Sequence, residues 1–525
     1  MTDVSNPAEP MPERASLRTW IAVFGGILGA LMAVLDIQIT NSSLPDIEGG
    51  IGTGSENGTW ISTSYLIGEI IMIPLTAYLS QVFSFRRVLL TNASLFLVFS
   101  VGCAFAANLT EMIIMRALQG FTGGVMIPMA FTLVLTRLPP AQRPTGIALF
   151  AMTATFGPAI GPTIGGYLTD NFGWPYVFFV NLLPGAVMIP LLYATLDRAP
   201  MRLSLLREGD WFGIGTMAVG LAAFQTLLDE GNQNGWFDSP YIVKLALVAA
   251  VFLAAFVVIE LRVDRPVVPL RFLARRNFGL GTLVNVLVGF ALFGSVYVLP
   301  TYLGEVQGYD AEQIGLTLAW VGLPQLLIIP FVPWLLKIID ARWLVTVGLV
   351  IFAVSCLMNT HMSLDYSGPQ FQMSNLVRAI GQAVVLSPLT GIAMIGISRD
   401  ESASASGLFN MLRSLGGAVG TAVLATFITR REQFHSNIVG QSVTAYSPAT
   451  QMEIARLQQH LQASGVTDPA LAHDSALVAL GRIIEQQSLI MAFSDTFGLL
   501  AAMLLIAATI VLLTRRGTPG SVAAR

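Results

Sequence analysis

Three ionisable residues stand where the chain is otherwise apolar: Asp36 in LMAVLDIQIT, Glu69 in YLIGEIIMIP and Arg116 in MIIMRALQGF. A carboxylate withdrawn from water favours its neutral form, so it can take up and release a proton near neutral pH. A guanidinium nearby pulls the balance back toward the anion. That combination is the chemistry of a proton-coupled switch. Arg378 and Arg413 are two further arginines in apolar surroundings, candidates for a site in the second part of the chain, with a buried ion pair or a side chain reaching toward an interface as the other readings. Other chemistries lack their residues. His361, His435, His460 and His473 all fall outside the apolar runs, and Cys103 and Cys356 stand singly inside apolar stretches, so no metal centre, disulfide framework or cofactor is expected. No GxxxxGK[ST] stretch is present to cradle a nucleotide phosphate.

The elements that must position these residues follow from composition. The 525 residues are 54% hydrophobic and 11% charged, with a mean hydropathy of +0.69; soluble domains carry about 25% charged residues. The net charge of -3 points to no nucleic-acid partner. Apolar runs long enough for helices across a roughly 30 Å hydrocarbon layer fall near 20-40, 58-80, 88-107, 110-135, 144-169, 174-196, 211-228, 240-261, 277-303, 312-336, 343-360, 371-397, 403-429 and 489-514. Backbone groups in lipid must be satisfied within the segment, so these are read as helices. The fold class expected is all-α, a polytopic membrane protein of fourteen helices.

Lysine and arginine in the short loops orient the chain. With the N-terminus inside, inward segments collect 20 of the 28 basic residues, including Arg86, Arg87, Arg137, Arg143, Arg271, Arg275, Arg276 and Lys337. Outward loops such as LLDEGNQNGWFDSP carry acids instead. Both termini are then expected to be cytoplasmic. In this orientation Asp36 lies about 24 Å from the inner edge and Arg116 about 10 Å below the outer one, with Glu69 near mid-membrane.

The chain also repeats itself. FAMTATFGPAIG at 150-161 matches FNMLRSLGGAVG at 409-420, RALQG at 116-120 echoes RAIGQ at 378-382, and FSVGC at 99-103 echoes FAVSC at 352-356. Matches in the same order indicate two homologous halves, the usual construction of transporters that alternate access by rocking one half on the other. The organisation expected is a tail at 1-19, a six-helix half at 20-196, a linker and inserted two-helix hairpin at 197-262, a second half at 277-514 and a tail at 515-525. The second half includes a long outward segment at 432-488.

These residues resemble the major facilitator superfamily, specifically its fourteen-span drug:proton antiporters of the EmrB/QacA type. LDIQITNSSLP at 35-45 is similar to that family's LDxTxxNxAxP, with Asn41 and Pro45 in place and Gln38 and Ser43 as departures. Arg116, Gln119 and Gly120 match its arginine motif, and Gly157, Gly161, Pro162, Gly165 and Gly166 match its antiporter motif. The loop motif GxLxDxxGRR appears as AYLSQVFSFRR, where Gln81 replaces the aspartate and Ser84 the second glycine. The resemblance implies Arg116 as the motif arginine, hydrogen-bonded near Asp36; Asp36, Glu69 and Arg116 together are the coupling or substrate candidates because each is a charge within an apolar span. The resemblance also implies small hydrophobic or cationic substrates, protons and, for Gram-negative members, a periplasmic adaptor with an outer-membrane channel.

Packing through Gly161 and Gly165 is expected at the interface between the halves. Met72, Met126, Met152, Phe156 and Phe293 are candidates for a cavity lining or a lipid-facing surface. The segment at 432-488 reads either as an adaptor-docking surface or as an amphipathic cap on the membrane. The function expected is proton-coupled export across the inner membrane, not enzymatic catalysis. A dedicated exporter of one metabolite or siderophore, and a membrane enzyme or lipid flippase, remain as alternatives.

Overall fold

The computed structural model describes residues 14-264, 266-398, 401-444, 446-466 and 468-516. Arg265, Arg399, Arg525 and most of both expected tails lie outside them. Every regular element among the described residues is helical. Twelve helices there are long and apolar enough to cross a membrane. Arg143–Phe172, of 30 residues, and Ala341–Leu357, of 17, bring the set to the expected fourteen. In chain order these are α1 Leu17–Ser42, α2 Ser55–Phe83, α3 Phe85–Ala104, α4 Leu109–Arg137, α5 Arg143–Phe172, α6 Tyr176–Thr195, α7 Trp211–Gly231 and α8 Pro240–Arg262. There follow α9 Arg276–Glu305, α10 Glu312–Ile338, α11 Ala341–Leu357, α12 Gly368–Ala393, α13 Ser402–Ser442 and α14 Pro469–Leu512.

The sequence repeat is a repeat of packing. In the first half α1 lies against α5 and α6, α2 against α4, and α3 against α4 and α6. In the second, α9 lies against α13 and α14, α10 against α12, and α11 against α12 and α14. Even the interruptions recur: α4 breaks between Gly123 and Met126, and α12 between Ala383 and Leu386. The halves meet through two crossed pairs, α5 with α10 and α2 with α13. The inserted hairpin, α7 and α8, lies beside the second seam, with α7 touching both α2 and α13.

One expectation is corrected here. The antiporter-motif glycines do not face the other half; they let α5 lie directly on α1. A Cβ at Gly157 would come within 2.7 Å of Val34 Cγ1, one at Gly161 would strike Gln38, and one at Gly165 would come within 2.8 Å of the Ile39 carbonyl. Their repeat mates do the same in the second half, where Gly416 and Gly420 receive the Val286 and Phe290 carbonyls of α9. The half-to-half contact uses another stripe of α5, where Thr163 meets Gly315 of α10 and Ala148 packs with Ile329 and Ala383. Pro162 and Gly166 are buried within the first half.

The arginine-rich ends are knitted within each half. Asp197 binds Arg18 and Arg137 at 3.2 and 2.7 Å, Asp340 binds Arg342 and Arg516, and Arg275 reaches Glu401 at 2.8 Å. The hydrogen bonds from Arg275 hold the Glu401 carboxyl down at about 2. Arg86 of the loop motif donates to the Tyr193 carbonyl at 2.8 Å and covers that ring, so it ties α3 to α6.

Ser84, the loop-motif departure between α2 and α3, sits at φ 73 and ψ 144, a region L-residues reach only under strain and glycine reaches freely. Its hydroxyl is buried without a partner. Ser84→Gly is therefore expected to stabilise the chain by about 1 kcal/mol, read as a rise in the unfolding temperature of the purified protein. An unchanged or lower value would sink this account of the turn.

The segment at 432-488 is built largely from continuations of two membrane helices. Helix α13 runs 41 residues and α14 runs 44, about 60 and 65 Å at 1.5 Å per residue, roughly twice the hydrocarbon thickness. A separate helix, Pro448–Ala463, packs against α14. Both helices thus carry the chain well past the length a single crossing needs.

Candidate functional site

Asp36 is fully buried in α1 and accepts three hydrogen bonds from two other helices. Arg116 Nη1 of α4 donates at 2.6 Å, Gln119 Nε2 of α4 at 2.9 Å and Asn181 Nδ2 of α6 at 2.6 Å. Arg116, also fully buried, donates through the same nitrogen to Gln119 Oε1 at 2.7 Å and through Nε to the Ile61 carbonyl of α2 at 3.2 Å. The Tyr65 ring of α2 covers its guanidinium at 4.3 Å. Asn181 also reaches Ser100 of α3 at 3.0 Å, and Ser100 donates to the Phe178 carbonyl at 2.8 Å. Five helices of the first half converge on one carboxylate.

The local sequence explains the convergence. Arg116 and Gln119 are three residues apart, so they share a helix face. Glycines bring that face onto α2: a Cβ at Gly120 would strike the Tyr65 carbonyl, and one at Gly68 the Ala117 carbonyl. With Arg116 positioned against both Asp36 and the α2 backbone, the pair is desolvated yet compensated, which is what a buried ion pair needs to persist. Arg116 Nη2 alone is left without a partner.

Glu69, two turns further along α2 than Ile61 and Ser62, is almost buried at 7% exposure. The charges of Arg116 and Arg413 both act on it, and Arg413 belongs to α13, across the seam between the halves. The structure therefore places Asp36, Arg116 and Glu69 in one electrostatic neighbourhood and adds Arg413 to it. Asn41 lies nearer the end of α1, exposed, where it accepts from Ser62 Oγ at 2.6 Å. Pro45 starts a short helix, Leu44–Ile51, outside the site.

Arg378 is placed elsewhere. It is 5% exposed in α12, donates weakly to the Ser295 carbonyl at 3.5 Å and lies 5.7 Å from the Phe352 ring. Among the described residues no acid pairs with it, and it is buried rather than reaching toward an interface. The reason is in α9. The glycine contacts align Val34 with Val286 and Gln38 with Phe290, which puts Val288 where the first half has Asp36. The repeat kept the arginine and lost its acid.

Sequence reasoning missed Asn181, Ser100 and Tyr65. Asn181 is a lone amide between VFFV and LLPG, and a polar residue inside an apolar run was the available signal. Of the cavity candidates, Met72 and Met126 are buried in the packed core, so these two face neither lipid nor an open chamber, while the half-buried Phe293 packs against Gly417. Among the described residues no cluster of three or more histidine, cysteine or acidic side chains could hold a metal.

Two packed repeats of six helices, with a compensated charge cluster inside the first, define a multi-pass membrane transporter. The chain belongs to the Major Facilitator Superfamily, which it matches over residues 26–421. It is 32% identical to the colistin resistance protein EmrB of Acinetobacter baumannii over 96% of this chain and 98% of that protein. It is 32% identical to the multidrug export protein EmrB of Escherichia coli K12 over 87% and 90%, and 31% identical to the fatty acid resistance protein FarB of Neisseria gonorrhoeae over 93% and 94%. The human organic anion transporter MFSD10 superposes with a TM-score of 0.57 at 15% identity, over 93% of this chain and 99% of that one. The Escherichia coli xylose transporter XylE, in a partially occluded inward-open state, gives 0.54 at 15%, over 93% and 97%. These structural likenesses bear on the fold. The family is one of transporters, not enzymes.

Proposed function

We propose that the chain is a proton-coupled exporter that expels small hydrophobic or cationic compounds across the inner membrane by alternating access, exchanging them for inward-moving protons. The observation that carries this reading is the Asp36–Arg116 pair at 2.6 Å with Glu69 one electrostatic step away. Asp36, with its three donors, fixes α1, α4 and α6 to one another. Among the described residues Glu69 has no such set of donors, and it feels the charge of one arginine in each half, so it is the group whose proton can come and go. When Glu69 is charged, Arg116 and Arg413 attract it from both sides of the seam. When it is protonated that attraction is lost, and the halves are freer to rock.

Relatives named for multidrug export at 32% identity over most of both chains support the drug-export reading. The relative named for fatty acid resistance favours, as a second reading, an amphipathic organic acid as cargo. The arginine-rich loops support cytoplasmic termini, and the length of α13 and α14 beyond a single crossing gives a periplasmic adaptor something to grip. Reconstituted in liposomes with an imposed pH gradient, the protein is expected to move ethidium and dissipate the gradient together. Glu69→Gln is expected to abolish gradient-driven transport while leaving energetically downhill exchange. A Glu69→Gln protein that still couples dye to proton movement would remove Glu69 from the mechanism. No movement of any compound in a lipophilic panel would remove broad export.

A further inference from the structure

The turn that joins α7 to α8 touches both halves of the molecule. On one side it belongs to a hairpin fastened to α2. Tyr78 of α2 donates to the Leu205 carbonyl at 3.1 Å, and the Arg202 N–H donates to the Val82 carbonyl at 2.8 Å, before α7 begins. At the far end of α7, Thr59 of α2 donates to Glu230 Oε1 at 3.3 Å and Thr63 hydrogen-bonds Asp229. On the other side the turn grips α13. Asn232 Nδ2 donates to Thr429 Oγ1 at 3.2 Å, and Trp236 Nε1 donates to Thr426 Oγ1 at 2.9 Å. Both threonines spend their own protons on carbonyls of α13, Thr426 on Ala422 and Thr429 on Ala425, so each hydroxyl has lone pairs to offer the hairpin.

The turn is shaped for that reach. Asn234 Nδ2 donates to the Glu230 carbonyl at 3.0 Å and to Glu230 Oε2 at 3.3 Å, so the carboxylate that takes Thr59 also braces the turn. Gly235 and Trp236 follow at φ 69 and 56. Glycine adopts this left-handed backbone freely, whereas a tryptophan there is strained and persists only where its surroundings over-determine it. Here they do. The indole lies on α7, where a Cβ at Gly231 would come within 2.7 Å of it, and its N–H is held by Thr426. Letting go of α13 removes one of the two restraints that hold Trp236 in this conformation.

We propose that the Asn232–Trp236 turn is a latch between the halves: carried with the first half on α2, it binds Thr426 and Thr429 of the second half in the arrangement of this structure and lets go when the halves rock. Thr426 lies about 20 Å along α13 from Arg413, at 1.5 Å per residue. A tilt of about 5° about the level of Arg413 therefore displaces the latch by about 2 Å, whereas hydrogen-bond lengths vary by only about 0.5 Å. The bonds cannot follow such a movement, so they favour one arrangement of the halves over the other. The latch rests on the alternating-access part of the transport reading and not on the cargo or the proton.

The test reads the separation of α2 and α13 by pulsed electron spin resonance between labels at Asn57→Cys and Gln433→Cys, both exposed. The purified full-length protein is used, with Cys103 and Cys356 replaced by alanine. Trp236→Phe removes the indole N–H and keeps an aromatic ring, and Thr426→Val removes the acceptor. Each is expected to lower the ratio of the present arrangement to its alternative about five-fold, the weight of one net hydrogen bond. Thr421→Val is the control, since that hydroxyl bonds to the Gly417 and Ala418 carbonyls of its own helix, and it is expected to leave the ratio unchanged. If Trp236→Phe does not accumulate, Thr426→Val decides alone. A distance distribution that neither variant moves overturns the latch, and so does an equal shift in Thr421→Val. In liposomes, Asn232→Cys/Thr429→Cys joined by a short reducible bifunctional linker is expected to stop moving dye and to resume on reduction. Undiminished movement by the joined protein overturns the latch. If no dye moves even in the unmodified protein while Trp236→Phe still shifts the distances, the transport reading fails and the latch stands.

Discussion

Arg116→Leu is expected to cost about 3–5 kcal/mol of stability, the penalty for breaking a buried ion pair from one side, and to eliminate transport. Removing the guanidinium leaves the Asp36 carboxylate fully buried with two neutral amides as its remaining donors. It also takes the donor from the Ile61 carbonyl and the cation from the Tyr65 face. The double variant Asp36→Leu/Arg116→Leu is expected to regain most of the lost stability, because well-packed apolar side chains can replace a buried pair at little cost, and to remain inactive. The measurement is a double-mutant cycle on the unfolding temperature of purified protein. Additive losses in the double variant would mean that the two charges do not depend on each other and would dismantle the site as described.

Gly120→Ala is the second large expectation. Its single added carbon would overlap the Tyr65 carbonyl oxygen, and because the obstacle is backbone, α2 and α4 must move apart at the turn that carries Arg116 and Gln119. Overpacking of this kind costs about 1–3 kcal/mol. Here it also loosens the grip of Arg116 on Ile61, so activity is expected to fall further than stability. Gly391→Ala in α12 is the control, since nothing lies within 4 Å of its added carbon and alanine is the better helix former. Equal destabilisation by the two substitutions would show that the crossing of α2 and α4 is not the cause.

Helix count, the two halves and the inserted hairpin were legible because lipid allows one solution for each apolar run, and because the repeat is written in glycines and arginines. The Asp36–Arg116 pair was legible for a related reason: a charge inside such a run must find a partner, and candidates are few. What the sequence left hidden was direction around each helix. Gly157, Gly161 and Gly165 mark a close approach but do not say which neighbour approaches, and they turned out to serve α1 instead of the opposite half. Asn181 and Ser100 look like ordinary small polar residues until α3 and α6 are folded against α1. Arg378 reads as the mate of Arg116, and only the register of α9 against α13 reveals that Val288 stands where its acid would be.

The length of α13 links the seam mechanically to a point far from it. The helix lies against Ile73 and Pro74 of α2 near Gly407 and continues without a break to Ser442, about 50 Å away at 1.5 Å per residue. A rigid rod of that length pivoting by about 10° at the seam displaces its far tip by about 9 Å. Any rocking of the halves at that seam would be magnified at the tip. Anything clamped to that tip would register which way the pump is facing without ever touching the cargo.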